Sequence, residues 1–133
     1  MVVPKKPEGY SSVSVYLVVD GAQRVIEFLK KTFDATELRR YDMPDGSIMH
    51  AEVRIDDTVV MIADGGGAWP AFPSWLHVYV QDVDATYQRA LAAGGVSVQA
   101  PERKEGDPDR RGGLKDPKRQ HLVDRDAGRM TLI

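Results

Sequence analysis

The segment Ile48–Ile55, read as IMHAEVRI, sets His50, Glu52 and Arg54 at every second position. In an extended strand that spacing turns all three side chains to one face. Acid–base chemistry is within reach of such a face. Glu52 or His50 can serve as a general base, a neighbouring guanidinium holds a carboxylate ionised, and an imidazole beside it can share a proton. The plainer reading of the same residues is a cross-strand ion-pair network. A second alternating stretch, Trp75–Gln81, turns Trp75, His77 and Tyr79 to one side and Leu76, Val78 and Val80 to the other. In the first strand Tyr16 shares a side with Ser12, Ser14 and Val18. Tyr16, Trp75 and Tyr79 could stack on a planar ligand, or equally fill a cleft or a dimer seam.

These side chains need elements to carry them. The β-branched run from Ser12 to Val19 predicts a strand, Asp20-Gly21 a turn, and the spacing of Val25, Ile26, Phe28, Leu29 and Phe33 a helix over Ala22–Phe33. A short strand in ATELRRYDMP, the hairpin signal Asp45-Gly46, the strand Ile48–Ile55, a turn at Asp56-Asp57 and the strand TVVMIAD complete a meander. Within Ile48–Ile55, the alternation predicts that Met49, Ala51, Val53 and Ile55 pack on the helix. Gly65–Gly67 lacks the Lys-Ser/Thr and the strand-to-helix setting of a phosphate loop, and reads as a flexible linker.

After that linker the grammar repeats. WLHVYVQDVDATYQRALAAGG gives strand, turn and helix, VSVQA a strand, and DRRGGLKDP the entry to another hairpin. Two βαβββ units of about half the chain each point to a duplicated module within one domain of residues 1–133. Module one spans about 10–64 and module two about 74–133. The cleft face is expected to carry Ser14, Tyr16, His50, Glu52, Arg54, Met61, His77 and Tyr79, a mixture suited to a small polar or aromatic ligand.

Composition sets the outer bounds. A chain of 133 residues with 42% hydrophobic and 29% charged residues is an ordinary globular balance. A net charge of -2 gives no reason to expect nucleic acid or an anionic membrane as partner. The basic residues in PERKEGDPDRRGGLKDPKRQ are interleaved with acids and read as a solvated loop. Cysteine is absent, which removes disulfides and thiol chemistry. The opening MVVPKKPEGY has no apolar signal core and no stretch is long enough to span a bilayer, so a cytoplasmic location is expected.

From Pro7 to Pro117 the chain resembles the glyoxalase/bleomycin-resistance/extradiol-dioxygenase group, the vicinal oxygen chelate superfamily. EGYSSVSVYLVVDGAQRVIEFLKKTFDATEL, MPDGSIMHAEVRIDDTVVMIAD, LHVYVQDVDATYQRALAAG and DRRGGLKDP look most like its PhnB-like branch. The resemblance implies an α+β fold of two βαβββ modules whose curved mixed sheet surrounds a cleft, usually within a homodimer. It says less about activity, because the group includes lyases, isomerases, dioxygenases, transferases and binding proteins.

Metal-using members place ligands on the first and last strands of each module. Carried onto this sequence, those positions hold Ser14, Met61 and either Trp75 or His77, together with a residue of the last strand. Only His77 among the named residues is a good ligand, and one histidine does not hold a metal. The expectation is therefore a metal-free cleft with no cofactor. An alternative set, His50, Glu52 and His77, has the two-histidine, one-carboxylate composition of a divalent-metal site. It would suit a metal-dependent lyase, isomerase or dioxygenase. Nothing resembles a glycine-rich S-adenosylmethionine loop, so a methyltransferase is not expected.

The resemblance ends at Asp116-Pro117. Related chains continue with a Gly-Asn turn and a strand close to Trp-Trp-Ile-Ala-Thr, whereas this one reads KRQHLVDRDAGRMTLI. One reading makes RMTLI the last strand of a longer hairpin. Another is a frameshift. Codons chosen for Lys118–Ala127, read one base later, give Ser-Gly-Asn-Thr-Trp-Trp-Ile-Ala-Thr, and Met130-Thr131 then forces a stop. Residues 118–133 are accordingly expected to be a frameshifted tail, which puts Asp124, Arg125 and Asp126 where apolar residues would be buried. Sequencing the gene around codon 118 decides the point, and no site residue is assigned beyond Pro117. The reading favoured for the whole is a protein that binds a small molecule in a homodimer cleft.

Overall fold

The computed structural model describes residues 5–117 and the backbone of 129–132. Its elements follow the duplicated grammar: β1 (Val15–Val19), α1 (Ala22–Phe33), β2 (Thr36–Asp42), β3 (Ile48–Ile55) and β4 (Thr58–Asp64), then β5 (Trp75–Val78), α2 (Val83–Ala92), β6 (Val96–Arg103), β7 (Arg110–Lys115) and β8 (Arg129–Leu132). Two four-stranded mixed sheets result, ordered β1-β4-β3-β2 and β5-β8-β7-β6. In each, the first strand of the module runs parallel to the last and the others are antiparallel.

The last strand is Arg129–Leu132, between β5 and β7. It lies in the RMTLI of the longer-hairpin reading. Lys118–Gly128, with Asp124, Arg125 and Asp126, lies outside the described residues.

One core joins the two modules. Val25, Ile26, Phe28 and Leu29 of α1 pack with Leu17, Ala51, Val53 and Ile62 of the first sheet, and with Val83, Tyr87, Ala90 and Leu114 of the second module. The helices meet directly, and the Arg89 Nε donates to the carbonyl of Thr32 across them. Each sheet thus spends one face on this shared core. The opposite faces take no part in it, and there the chemistry-bearing residues sit.

The helices are capped in different ways. Asp82 caps α2 locally, its carboxylate accepting from the Ala85 N–H at 3.0 Å. The residue before α1 is Gly21, at φ 95°, a left-handed conformation natural to glycine, and it has no side chain to offer. Asp64 at the end of β4 substitutes for it. One of its oxygens accepts from the N–H groups of Gly21 (3.1 Å) and Ala22 (2.8 Å), and the other from Ile48 (2.8 Å). A single carboxylate thereby ties β4, α1 and β3 together.

Three expectations need correction. The first strand begins at Val15, not Ser12, and Val13 is fully out in solvent. Met49 is 54% exposed while Ile48 is buried. The reason is a register shift: Tyr41 pairs with His50 and Asp42 with Ile48, which leaves Met49 as an extra residue and reverses the alternation before it. Gly65–Gly67 does not begin a free linker. Gly65 N–H bonds Val19 O, Phe72 N–H bonds Val18 O, and Gly66 pairs with Trp69, so the segment folds back along the outer edge of β1. A Cβ on Gly65 would lie 2.5 Å from the backbone nitrogen of Ala71, so the fold-back requires glycine there.

Candidate functional site

Register alone assembles the first half of the site. Tyr16 on β1 pairs with Met61 on β4, Met61 pairs with Glu52 on β3, and His50 follows two residues before Glu52. All lie on the face of the first sheet away from the core, as the alternation predicts.

Their side chains form one hydrogen-bonded chain. The Tyr16 hydroxyl is 3.0 Å from His50 Nδ1, and His50 Nε2 is 2.7 Å from Glu52 Oε2. The other carboxylate oxygen accepts from the Tyr10 hydroxyl at 2.5 Å. Arg39 stands 4.0 Å from that same oxygen, with its guanidinium 5.5 Å from the centre of the Tyr10 ring. Glu52 is 4% exposed, so its charge depends on these partners. Burial, the largest influence, pushes its pKa upward, but the hydrogen bonds from Tyr10 and His50, with the charges of His50 and Arg39, bring it below the usual 4.5. Glu52 is therefore ionised at neutral pH. Tyr10, which donates to it, is held above the ordinary phenol value mainly by that bond.

The state of His50 follows from its neighbours. An ionised carboxylate only accepts, so His50 Nε2 carries the hydrogen; in the neutral ring Nδ1 is then the acceptor and the Tyr16 hydroxyl donates. Tyr16 is the outer end of the chain, 45% exposed.

The second sheet holds the other half. His77 and Tyr79 meet edge to face with ring centres 4.9 Å apart. Arg111 on β7 donates from Nη1 to His77 Nε2 at 3.2 Å and from Nε to Asp107 at 2.7 Å. Because a guanidinium only donates, His77 Nε2 is an acceptor here and a neutral ring carries its hydrogen on Nδ1. Asp107 raises the Arg111 pKa further, so this cation is permanent. Beside it lies a recess of about 350 Å³, lined by Trp75, Val98, Gln99, Lys104 and Arg111 and also by the acids Glu102 and Asp107.

The sequence-derived residues thus fall into two groups. Tyr16, His50 and Glu52 are brought together, and so are His77 and Tyr79. Arg54 lies by Gly9 on the N-terminal segment, and the guanidinium paired with Glu52 is that of Arg39. The alternative ligand set of His50, Glu52 and His77 is not assembled. Among the described residues no three His, Asp or Glu side chains gather closely enough to hold a metal, because His77 belongs to the other sheet and faces Arg111. Of the positions that the resemblance assigns to metal ligands, Ser14 and Met61 are not donors that fit a divalent ion, and the third is either Trp75, which is no ligand, or His77.

Tyr10, Arg39 and Arg111 were not singled out by sequence reasoning. Arg111 stood in the RRGG motif, where strand alternation could have placed it. Arg39 lies within a register shift between Glu37 and Arg40 that alternation does not foresee, and no local pattern links Tyr10 to a residue 42 positions away.

A family model described as Glyoxalase/Bleomycin resistance protein/Dioxygenase superfamily matches residues 11–123. Uncharacterized proteins of Mycobacterium bovis and Mycobacterium tuberculosis are 42% identical over 100 residues, covering 67% of this chain and 66% and 59% of theirs. The chain spans less than two thirds of those relatives' length. Among solved structures, TioX from Micromonospora sp. ML1 has a TM-score of 0.71 at 23% identity, covering 92% of this chain and 96% of TioX. A glyoxalase I mutant from Zea mays has a TM-score of 0.68 at 22% identity, covering 90% and 44%. The fosfomycin resistance protein FosX from Mesorhizobium loti has a TM-score of 0.60 at 20% identity, covering 92% and 89%. At such identities the structural matches speak for the fold.

Proposed function

The chain belongs to the glyoxalase/bleomycin resistance/dioxygenase superfamily, and on that premise we propose that it binds a small polar or aromatic molecule without a metal ion. The observation that carries this reading is the recess beside Arg111. An indole, an aliphatic wall and a permanent guanidinium converge on about 350 Å³, the size class of small-molecule sites. A planar ligand with an anionic or carbonyl group would stack on Trp75 and accept from Arg111. His77, which accepts from Arg111, steadies that guanidinium.

The same proposal includes a homodimer. Trp75 is 69% exposed, and Tyr16, Tyr41, Tyr79 and Val98 are exposed on sheet faces that the shared core leaves uncovered. A second copy laid over these faces would turn two open surfaces into closed clefts. The branch of the family resembling PhnB proteins is the one its motifs favour.

The test is thermal unfolding with a panel of aromatic acids and antibiotics, run in EDTA and again with Ni, Zn, Mn or Fe. The expected outcome is a melting shift in EDTA, because a ligand at a hundred times its Kd stabilises by about 2.7 kcal/mol. Stoichiometric metal bound through His77, or ligand shifts that vanish in EDTA, would overturn the metal-free reading.

A further inference from the structure

We propose that Tyr16, His50 and Glu52 form an acid–base relay, with the Tyr16 hydroxyl as the end presented to a bound molecule. This goes beyond ligand binding, for it assigns a proton-transfer function to the first sheet. The substrate class is a compound with an acidic C–H or O–H bond placed at the open side of Tyr16.

Three structural features carry the assignment. With the His50 ring neutral the chain is directional: ionised Glu52 accepts from Nε2, which leaves Nδ1 to accept from the Tyr16 hydroxyl. It is anchored at the buried end, where Glu52 is 4% exposed and its second oxygen is occupied by Tyr10. It is open at the other end, where Tyr16 is 45% exposed. A purely structural cross-strand network has no need of that gradient from buried charge to exposed hydroxyl. The arrangement has the logic of a hydroxyl, imidazole and carboxylate triad, in which the carboxylate fixes the ring tautomer and stabilises the imidazolium.

The proton count balances without a co-reactant. The substrate X–H bond breaks and its proton goes to the Tyr16 oxygen, while the Tyr16 proton moves to His50 Nδ1. Tyr16 ends as it began, the substrate keeps the electron pair as an anion, and the ring becomes an imidazolium beside ionised Glu52. Return of the proton along the same path, to the same or an adjacent atom, completes an exchange or an isomerisation. Tyr16 alone touches the substrate; His50 receives the proton and Glu52 positions His50. Tyr10 and Arg39 hold Glu52 in place.

Assistance in removing the Tyr16 proton can be read without knowing the substrate. N-acetylimidazole acetylates phenols: the phenol oxygen bonds the acetyl carbon, the proton leaves to a base, and imidazole departs. Peptide mapping then gives the rate at each tyrosine. Tyr79 is the internal control, since it is 72% exposed, more open than Tyr16, and packs against His77 and not His50. The expected result is acetylation of Tyr16 at least ~10-fold faster than Tyr79, a modest share of what general-base catalysis supplies. His50→Gln, which keeps a polar side chain but takes no proton, is expected to bring Tyr16 down to the Tyr79 rate. Equal rates at the two tyrosines in the unaltered protein overturn the relay, as does a Tyr16 rate unmoved by His50→Gln. The first comparison needs no variant to fold, and neither result bears on whether the recess at Arg111 binds a ligand.

Discussion

Replacing Tyr10 by phenylalanine removes one oxygen atom and tests whether the N-terminal segment is held by a buried charge. The hydroxyl donates to Glu52 Oε1 at 2.5 Å, and Glu52 is 4% exposed. A hydrogen bond to a charged group contributes about 1.5–3 kcal/mol, and deleting one partner leaves the other partly unsatisfied. Glu52 keeps His50 and Arg39, which puts Tyr10→Phe toward the middle of that range, about 2 kcal/mol. At roughly 4 °C per kcal/mol for a chain of this size, Tm falls by about 8 °C. The pH dependence has a definite sign. The folded pKa of Glu52 is depressed below 4.5, so its contribution is present above that value and lost as pH falls through the folded pKa. Urea unfolding at pH 7 and at successively lower pH measures both effects. Expected is a loss of about 2 kcal/mol at pH 7 that narrows as Glu52 takes up its proton. A change in Tm below 1 °C, or a loss that stays constant as the acid limb is crossed, would refute the reasoning.

Asp64→Ala strips the acceptor from three backbone N–H groups at once and is expected to cost about 3–5 kcal/mol by denaturant unfolding, with Asp64→Asn losing less. Asp116 is buried with one oxygen unpartnered among the described residues, and desolvation raises its pKa to about 6. A raised acid destabilises the fold once ionised, so Asp116→Asn is expected to raise Tm at pH 8 and to change it little at pH 4. Arg111→Met keeps length and removes charge; ligand-induced melting shifts by anionic aromatics are expected to disappear while the unliganded Tm moves by only a degree or two at this half-exposed ion pair.

The fold was largely legible because two periodicities repeat in the same order in both halves. β-Branched alternation marked the strands, and the spacing Val25, Ile26, Phe28, Leu29 marked α1 to its ends. Alternation also gave the face shared by Tyr16, His50 and Glu52. It failed at Met49, where one extra residue in the ladder reverses the face, because a bulge leaves no signature in residue type. The partners of Glu52 were missed for a related reason. Tyr10 is joined to it across 42 positions, and a contact of that separation depends on the sheet having formed. The helix caps divide the same way: Asp82 is three residues from the amide it caps, whereas Asp64 is 42 from Ala22.

That division bears on the order in which the chain folds. Asp82 and the amide it caps are three residues apart, so α2 can close its first turn as soon as it forms. Asp64 lies 42 positions from Ala22, and closing that longer loop costs about 2 kcal/mol more in chain entropy. The α1 N-terminus is therefore expected to stay frayed until the β3–β4 hairpin docks. Module two is expected to start its helix early, while module one completes α1 as a late step. In a chevron experiment, Asp64→Asn should act mainly on the unfolding limb and Asp82→Ala mainly on the refolding limb. Duplicated halves with matching strands would then fold by different routes, separated by where each one keeps its capping carboxylate.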